Sequence, residues 1–281
     1  MSDKEMLDVT AEIAKEIAKD AYDDVGKPVM KPTGELVGLI PRAIKAALSP
    51  LEKWVLQKEY NVAETKKLLE EKLQNTPPEL IESPEPHIAV PAMQYISYCM
   101  DNEELREMYA NLLANSMNKV IKNGVHPGFV EIIKQLSPDE AKILKYLYKN
   151  PFVPTISLKV YKEPSGMVVI NRVFTNVPEL CGCERPYEYE KYIDNLSRLG
   201  VVRVPPDECL TNKLQYDPLK NHPDIIKEKN ELEALESVAR VDYIEGHIEL
   251  TKWGRNFCSI CVEVRKLIIT KQQEGLKNDQ L

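Results

Sequence analysis

The sequence predicts a mainly α-helical fold in which a helical amino-terminal half precedes a winged-helix-like α+β half. Up to about residue 150, apolar residues recur at intervals of three and four, which is typical of helices with one buried face. Beyond it, two alternating segments, VVRVP (201–205) and HIELT (247–251), predict strands. A helix that closes on Leu199-Gly200 directly before VVRVP favours the winged-helix order, because glycine readily adopts the left-handed stop.

Composition indicates an ordinary globular protein. The chain has 281 residues, of which 43% are hydrophobic, and a net charge of -7 that opposes a general attraction to nucleic acid or anionic lipid. The first residues show no secretion-signal pattern, and no apolar run is long enough to span a bilayer. Six cysteines in a chain of this size favour free thiols in a reducing compartment. We therefore expect a cytoplasmic protein without a membrane span.

Breaks in the helical pattern suggest four segments and one insertion. About 40 residues separate the two predicted strands, far more than a hairpin loop needs, and they include the helix-like run IIKEKNELEALESVARV. The predicted segments are an amphipathic helix with a linker (1–32), a helical domain (33–136), a winged-helix-like domain (137–270) with an insertion at about 206–246, and a polar tail (271–281).

Prolines predict where the early helices stop and restart. In the stretch 35–75, Pro41 and Pro50 should kink or restart the helix, because each lacks a backbone donor. Its few basic residues favour a core-packing helix pair over the alternative, a helix that lies on a membrane surface. The proline-rich stretch 76–94 should be extended or turned until Pro91 begins a new helix.

Two capping boxes are predicted further on. Asp101 with Glu104, and Ser137 with Glu140, have the required spacing of three residues. The second should begin a helix near Pro138. After the first, one helical face is predicted to consist of Leu105, Met108, Tyr109, Leu112, Leu113, Ser116, Met117 and Val120.

Cysteine and histidine spacing gives little support for a metal or a cofactor. Cys181 and Cys183 could join Cys258 and Cys261 in a four-thiolate zinc site. The second pair lies in an apolar helical pattern, so packing of the cysteines as small apolar groups is preferred. The four histidines occupy separate contexts, and His126 is interpreted as a structural residue at a helix start. No phosphate loop, nucleophile elbow or other catalytic motif is found, so we expect no cofactor.

The helix in PYEYEKYIDNLSRLG would be the reading helix of a winged helix. Its candidate contact face consists of Glu188, Lys191, Asn195 and Arg198. The charges along this helix nearly cancel, so phosphate attraction should be weak. A protein-contact or structural role is therefore preferred over operator binding.

Three segments of the middle of the chain together resemble the abortive-infection alpha (Abi-alpha) family. They are VGLIPRAIKAALSPLEKWVLQKEYNV, PPELIESPEPHIAVPAMQYISYCMDNEELREMYANLLANSMNK and VHPGFVEIIKQLSPDEAKIL. The family resemblance rests on Pro50, Leu51, Trp54, Pro84, Pro91, Leu105, Leu112, Leu113, His126, Pro127 and Phe129. It implies a bacterial or mobile-element protein linked to phage resistance. These are helix-boundary and core positions, and the resemblance supplies no catalytic residue.

Together these observations favour a non-enzymatic phage-defence protein that acts through protein partners, with homo-oligomerisation left open. Two alternatives remain at this point. One is a winged-helix DNA-binding transcriptional regulator, and the other is an enzyme without a recognised motif.

Overall fold

The computed structural model describes residues 42–46 and 59–262, and the described chain forms two compact units. One contains residues 42–46, 59–94 and 110–126, and the other contains residues 95–109 and 127–262. The predicted first helix and linker, Pro50, Leu51, Trp54 and the polar tail lie outside the described residues. The predicted boundary between the helical domain (33–136) and the winged-helix-like domain (137–270) remains a prediction.

The chain is α+β overall, and its antiparallel sheet lies in the carboxy-terminal half. A short helical segment occupies residues 42–46, directly after Pro41. The α-helices that follow it are α1 (Glu59–Leu73), α2 (Pro86–Ile96), α3 (Glu103–Ser116), α4 (Gly128–Lys134), α5 (Pro138–Lys149), α6 (Val177–Leu180), α7 (Tyr189–Arg198), α8 (Asp217–Lys220), α9 (Pro223–Glu233) and α10 (Lys252–Cys261). The strands are β1 (Phe152–Lys162), β2 (Met167–Phe174), β3 (Val202–Arg203) and β4 (Val238–Leu250).

The helical unit is held together by apolar packing and by a short backbone connection. Its buried apolar side chains include Leu69, Leu73, Ile88, Ala89, Ala92, Met93, Leu112, Leu113 and Met117. Ile81 and Asn118 form an antiparallel bridge, and the Glu82 amide donates to the Met117 carbonyl at 2.9 Å. These bonds tie the segment before α2 to the end of α3.

The predicted helix start at Pro91 is wrong, because α2 begins at Pro86 and Pro91 lies inside it. Pro86 suits a first helical position, where its missing N–H has no intrahelical partner to lose. The helix buries Ile88, Ala92 and Ile96 along one face. A proline inside a helix cannot make one backbone hydrogen bond, which costs free energy. We attribute the tolerance of Pro91 to the burial of this apolar face, which offsets that cost.

The apolar face predicted for α3 is largely confirmed, but its cap is not. The residue that caps the helix is Asn102, whose side-chain oxygen accepts from the Leu105 amide at 3.0 Å, rather than Asp101. Leu105 is half-buried, and Val120 lies beyond the helix with 58% of its surface exposed. The other predicted face residues are buried: Met108, Tyr109, Leu112, Leu113, Ser116 and Met117.

The sequence correctly predicted the start of α5 and the end of α7. Ser137 and Glu140 form the predicted capping box, with the Ser137 amide donating to Glu140 Oε2 at 2.6 Å. At the end of α7, Gly200 has a φ of +70°. The Gly200 amide donates to Ser197 and the Val201 amide to Leu196, which is a Schellman motif.

The described part of the second unit contains one antiparallel sheet of four strands in the order β2-β1-β4-β3. The predicted pairing of the segments VVRVP and HIELT is confirmed, since Val202 pairs with Leu250 and Arg203 pairs with Glu249. Two parts of the prediction are wrong. β1 was missed, and β4 begins at Val238, within the segment predicted to be an insertion that continues as helix to Val241.

Both errors have the same physical cause. The first half of β4 is a strand because it pairs with the second half of β1, for example Val241 with Val160. β1 is buried on both sides over its central residues and carries Pro154, so it does not show the simple alternation that identifies a half-exposed strand. Neither strand can be recognised without its distant partner.

Residues of the predicted insertion pack on the sheet. Tyr216, Leu219 and Ile225 join a buried cluster with Leu158 and Phe174. The Tyr216 hydroxyl donates to the Gly246 carbonyl at 3.0 Å and accepts from the Leu210 amide at 2.7 Å. The insertion thus forms part of the second unit's core.

The last described helix, α10, closes the unit against β3 and α4. Thr251 caps it by accepting from the Gly254 amide at 2.9 Å. Phe129 of α4 contacts Trp253 and Phe257, with ring centroids 4.8 and 5.5 Å apart. Within residues 42–46 and 59–262, no helix is both long and apolar enough to cross a bilayer.

Candidate functional site

The predicted contact face on α7 is largely occupied by bonds within the chain. Asn195 Nδ2 donates to Glu140 Oε1 at 2.7 Å and to the Gln135 carbonyl at 3.1 Å. Arg198 Nη2 donates to Gln135 Oε1 at 3.0 Å and to Asn195 Oδ1 at 2.6 Å. Two of the four predicted contact residues therefore attach α7 to the start of α5 and the segment before it.

The other two predicted contact residues neutralise each other at the start of α7. Lys191 Nζ donates to Glu188 Oε2 at 2.8 Å, and Arg185 Nη1 lies 3.4 Å from the other carboxylate oxygen. The hydrogen bond from Lys191 lowers the pKa of Glu188. The structure thus divides the predicted face into two groups, each with its own partners.

Next to this helix lies a buried carboxylate that the sequence did not reveal as a site. Asp139, in the first turn of α5, is 7% exposed. Its carboxylate accepts from the Glu184 amide at 2.9 Å, the Arg185 amide at 3.2 Å and the Tyr192 hydroxyl at 2.9 Å. These bonds hold the loop before α7, and α7 itself, against the start of α5.

The electrostatics of this carboxylate follow from its partners. Burial alone would raise the pKa of Asp139, but hydrogen bonds from Glu184, Tyr192 and Arg185 outweigh burial and lower it. Lys142 Nζ, 3.5 Å from Asp139 Oδ1, acts in the same direction. Asp139 is therefore held as a carboxylate that orders the backbone.

Two thiols lie beside this carboxylate. Cys181 follows α6, and Gly182, with a φ of +68°, reverses the chain so that Cys181 Sγ and Cys183 Sγ are 3.6 Å apart. The Cys183 thiol also lies 3.6 Å from the Asp139 carbonyl, in a donating arrangement, and Lys142 Nζ donates to the Gly182 carbonyl at 3.1 Å. The two cysteines thus flank a turn before α7. Both are free thiols, as expected, and they are half-buried and hydrogen-bonded rather than packed only as small apolar groups.

The other cysteine pair has a different environment. Cys258 and Cys261 are fully buried in α10, as the apolar pattern predicted, and burial raises the pKa of both thiols. Across the described residues, no group of three or more His, Cys, Asp or Glu side chains is arranged to hold a metal ion. The four cysteines thus do not form the zinc site considered above.

The histidines are likewise dispersed. His126 is exposed just before α4, and His247 is buried in β4. His222 caps α9, and its Nε2 lies 2.9 Å from Glu179 Oε1. His87 lies in α2.

The described positions on which the family resemblance rests are mostly structural. Leu112, Leu113 and Phe129 are fully buried, Pro91 and Leu105 are half-buried, and Pro127 is exposed beside His126. Sequence reasoning missed Asp139, whose first-turn position predicts only a helix start. The spacing Cys-Gly-Cys was the available signal for the thiol pair.

The fold and these contacts define a class: a helix-rich α+β protein in which a buried carboxylate, with a thiol pair beside it, joins α5 to α7 and the loop before it. Comparison with known families is more specific, because the model of the family described as abortive infection alpha matches residues 57–261. The chain belongs to the abortive infection alpha family.

Other comparisons add little to this assignment. A solved structure of an uncharacterised protein from the hydrocarbon-degrading marine bacterium Alcanivorax borkumensis SK2 is 16% identical, with a TM-score of 0.34. The match covers 48% of this chain and 92% of that chain. This similarity is too low to establish a shared fold. The search of curated proteins gave no match.

Proposed function

We propose that this chain is a cytoplasmic phage-defence protein that acts in abortive infection through protein contacts, without catalysing a reaction. The observation that carries the defence assignment is the family match over residues 57–261. Abortive infection requires that an infected cell stop growing before progeny phage are released. The protein would contribute by binding a phage or host protein, as a monomer or as a homo-oligomer.

The structural positions of the family-signature residues support a contact-based role. Leu112, Leu113 and Phe129 are buried apolar residues, and such residues maintain a surface for binding rather than supply a reacting group. Asp139 is engaged by two backbone amides and a hydroxyl, which fits a structural carboxylate. These features favour a folded surface over a nucleophilic centre.

The proposal is tested by expressing the gene with its native neighbours and infecting the cells with a broad phage panel. We expect fewer plaques and arrested growth of infected cells. Unchanged plaque counts across the panel, with the protein present and folded, would contradict the assignment.

Two variants test the contact-based role, and the second of them separates it from an enzymatic one. Leu112→Ala should abolish protection, because emptying a buried leucine site costs about 3 kcal/mol of stability. His126→Ala, at an exposed position, should protect like the wild type. Loss of protection in a folded His126→Ala protein would favour the enzyme alternative.

A winged-helix regulator remains the second candidate, and the strand arrangement is what favours it. In the sheet, strand β4 lies between β1 and β3. Along the chain, α6 and α7 lie between β1 and β3. This is the order expected of a winged helix that has an added β2. It ranks second because Asn195 and Arg198, on the would-be reading helix, are bonded within the chain.

A further inference from the structure

The thiol pair beside α5 has properties that neither proposed function uses. Cys181 Sγ and Cys183 Sγ lie 3.6 Å apart, and the residue between them, Gly182, is exposed. A disulfide bond places two sulfur atoms about 2.0 Å apart, so closing this gap requires a sulfur displacement on the order of 1.5 Å. Both cysteines are half-buried residues on either side of an exposed glycine, which leaves this turn open to a small reagent.

The remaining cysteines provide internal comparisons. All six cysteines lie in the described ranges and are free thiols. Cys258 and Cys261 are fully buried, which excludes reagents. Cys209 is exposed and lies 3.0 Å from Lys213 Nζ, so it has a neighbouring lysine but no hydrogen bond to a second thiol. The Cys181 and Cys183 pair combines access with a second thiol at contact distance.

We propose that Cys181 and Cys183 form a redox-active dithiol that reacts reversibly with low-molecular-weight disulfides such as glutathione disulfide. The reduced pair is the state seen in the structure. A reversible site of this kind suits a reducing compartment, where disulfides are usually transient and serve catalysis or sensing.

The reaction proceeds by two exchanges. The Cys181 thiolate attacks one sulfur of glutathione disulfide, so that a mixed disulfide forms and one glutathione thiolate leaves. Cys183 then loses its proton and attacks Cys181 Sγ, which releases the second glutathione. The protein loses two hydrogens as two electrons and two protons, and glutathione disulfide is reduced to two glutathione thiols.

The surroundings favour Cys181 as the attacking residue. The hydrogen bond from Cys183 lowers the pKa of the Cys181 thiol, although burial acts in the opposite direction. For Cys183, the same hydrogen bond raises the thiol pKa, which keeps it protonated as the resolving residue. Lys142, which donates to the Gly182 carbonyl, favours a thiolate at this turn.

Oxidation would also alter a structural contact. The Cys183 thiol lies 3.6 Å from the Asp139 carbonyl, and a disulfide has no thiol hydrogen to donate to it. The next two residues, Glu184 and Arg185, bind the Asp139 carboxylate through their amides. Oxidation of the pair therefore changes the loop that attaches α7 to α5.

The test uses the full chain, reduced and then equilibrated in glutathione buffers of increasing oxidised fraction. Free thiols are blocked with an alkylating reagent, and peptides are identified by mass. We expect one peptide with Cys181 and Cys183 joined and unalkylated, while Cys209 of the same molecules is alkylated. Excess reduced glutathione should restore both thiols.

Single variants distinguish the two roles. Cys183→Ser should stop at the mixed disulfide and retain one glutathione on Cys181. Cys181→Ser should slow the reaction of the pair with glutathione disulfide about tenfold or more, because the activated thiol is missing. Cys209→Ser, the matched control, should leave disulfide formation at the pair unchanged. Circular dichroism establishes that each variant is folded.

Two results would overturn the proposal. One is a wild-type protein in which Cys181 and Cys183 stay alkylatable in buffers that oxidise a reference dithiol such as thioredoxin. The other is a folded Cys183→Ser protein in which Cys181 reacts with glutathione disulfide no faster than Cys209 does.

Discussion

The Asp139 carboxylate connects parts of the chain that are 45 and 46 residues apart in sequence. It accepts from the Glu184 and Arg185 amides and from the Tyr192 hydroxyl, and it is almost completely buried. Two neighbouring polar residues in the same turn, Ser137 and Glu140, bond to each other's backbone in a capping box that is recognisable from their spacing, although Glu140 also accepts from the distant Asn195. Asp139 differs because the residues that donate to its carboxylate all come from the distant segment 184–192.

Asp139→Asn should lower the free energy of unfolding at pH 7 by about 2 to 3 kcal/mol, because the amide keeps one acceptor oxygen and places an N–H₂ group where the loop offers donors. The pKa of Asp139 is lowered in the folded protein. Its contribution is therefore present above the ordinary aspartate pKa and lost as pH falls through the folded-state value. Urea unfolding measured from pH 7 down to pH 3 should show the wild type and the variant converging below about pH 4.

Asp194→Asn, on the exposed side of α7, is the matched control and should change stability by less than about 0.5 kcal/mol. A destabilisation of Asp139→Asn that is no larger than that of the control would contradict the structural role given to Asp139.

Among the elements, α10 shows how closely a helix can depend on one small residue. The Gly254 Cα faces the backbone of Val201, just before β3, and a Cβ added there would lie 1.8 Å from the Val201 carbonyl oxygen. The Thr251 amide donates to the same oxygen at 3.0 Å. The glycine is needed because helix and strand meet backbone to backbone.

Gly254→Ala should destabilise the protein by more than about 3 kcal/mol, because α10 must move away from Val201 and its packing on Phe129 must loosen. In an exposed helix the same Gly→Ala change would stabilise the protein by about 1 kcal/mol. A destabilisation therefore indicates the close approach of α10 to the Val201 backbone. Thermal unfolding followed by circular dichroism measures it. Arg255→Ala, at the next and exposed position, should leave the midpoint nearly unchanged; equal midpoints for both variants would contradict this packing.

For the molecule as a whole, the charge distribution argues against DNA as the main partner. The net charge is -7, and the exposed side of α7 carries Glu190 and Asp194 as well as Lys191 and Arg198. Association with a phosphate backbone depends on uncompensated positive charge, which this helix lacks.

We therefore expect no duplex binding at micromolar protein concentration in about 50 mM salt, measured by fluorescence anisotropy of a labelled duplex. A double variant, Glu190→Lys with Asp194→Lys, makes this side of α7 basic and should raise salt-sensitive, sequence-independent binding. Micromolar or tighter binding by the wild type, with a steep salt dependence, would instead place the DNA-binding regulator first.

The sequence by itself determined those features whose partners lie within a few residues. The capping box at Ser137 and the stop at Gly200 were predicted because both ends of each hydrogen bond belong to the same short segment. The apolar face of α3 was predictable for a similar reason, since helical periodicity requires no knowledge of what covers it. The family resemblance also depended on such local positions.

Only the tertiary structure decided the features whose partners are remote. β4 extends back to Val238 because β1 is alongside it, and α2 continues through Pro91 because its face is buried. Cys181 and Cys183 differ from Cys258 and Cys261 through exposure and neighbours rather than residue type. In each case the deciding free energy comes from a contact across a long stretch of chain, and a local pattern cannot contain it.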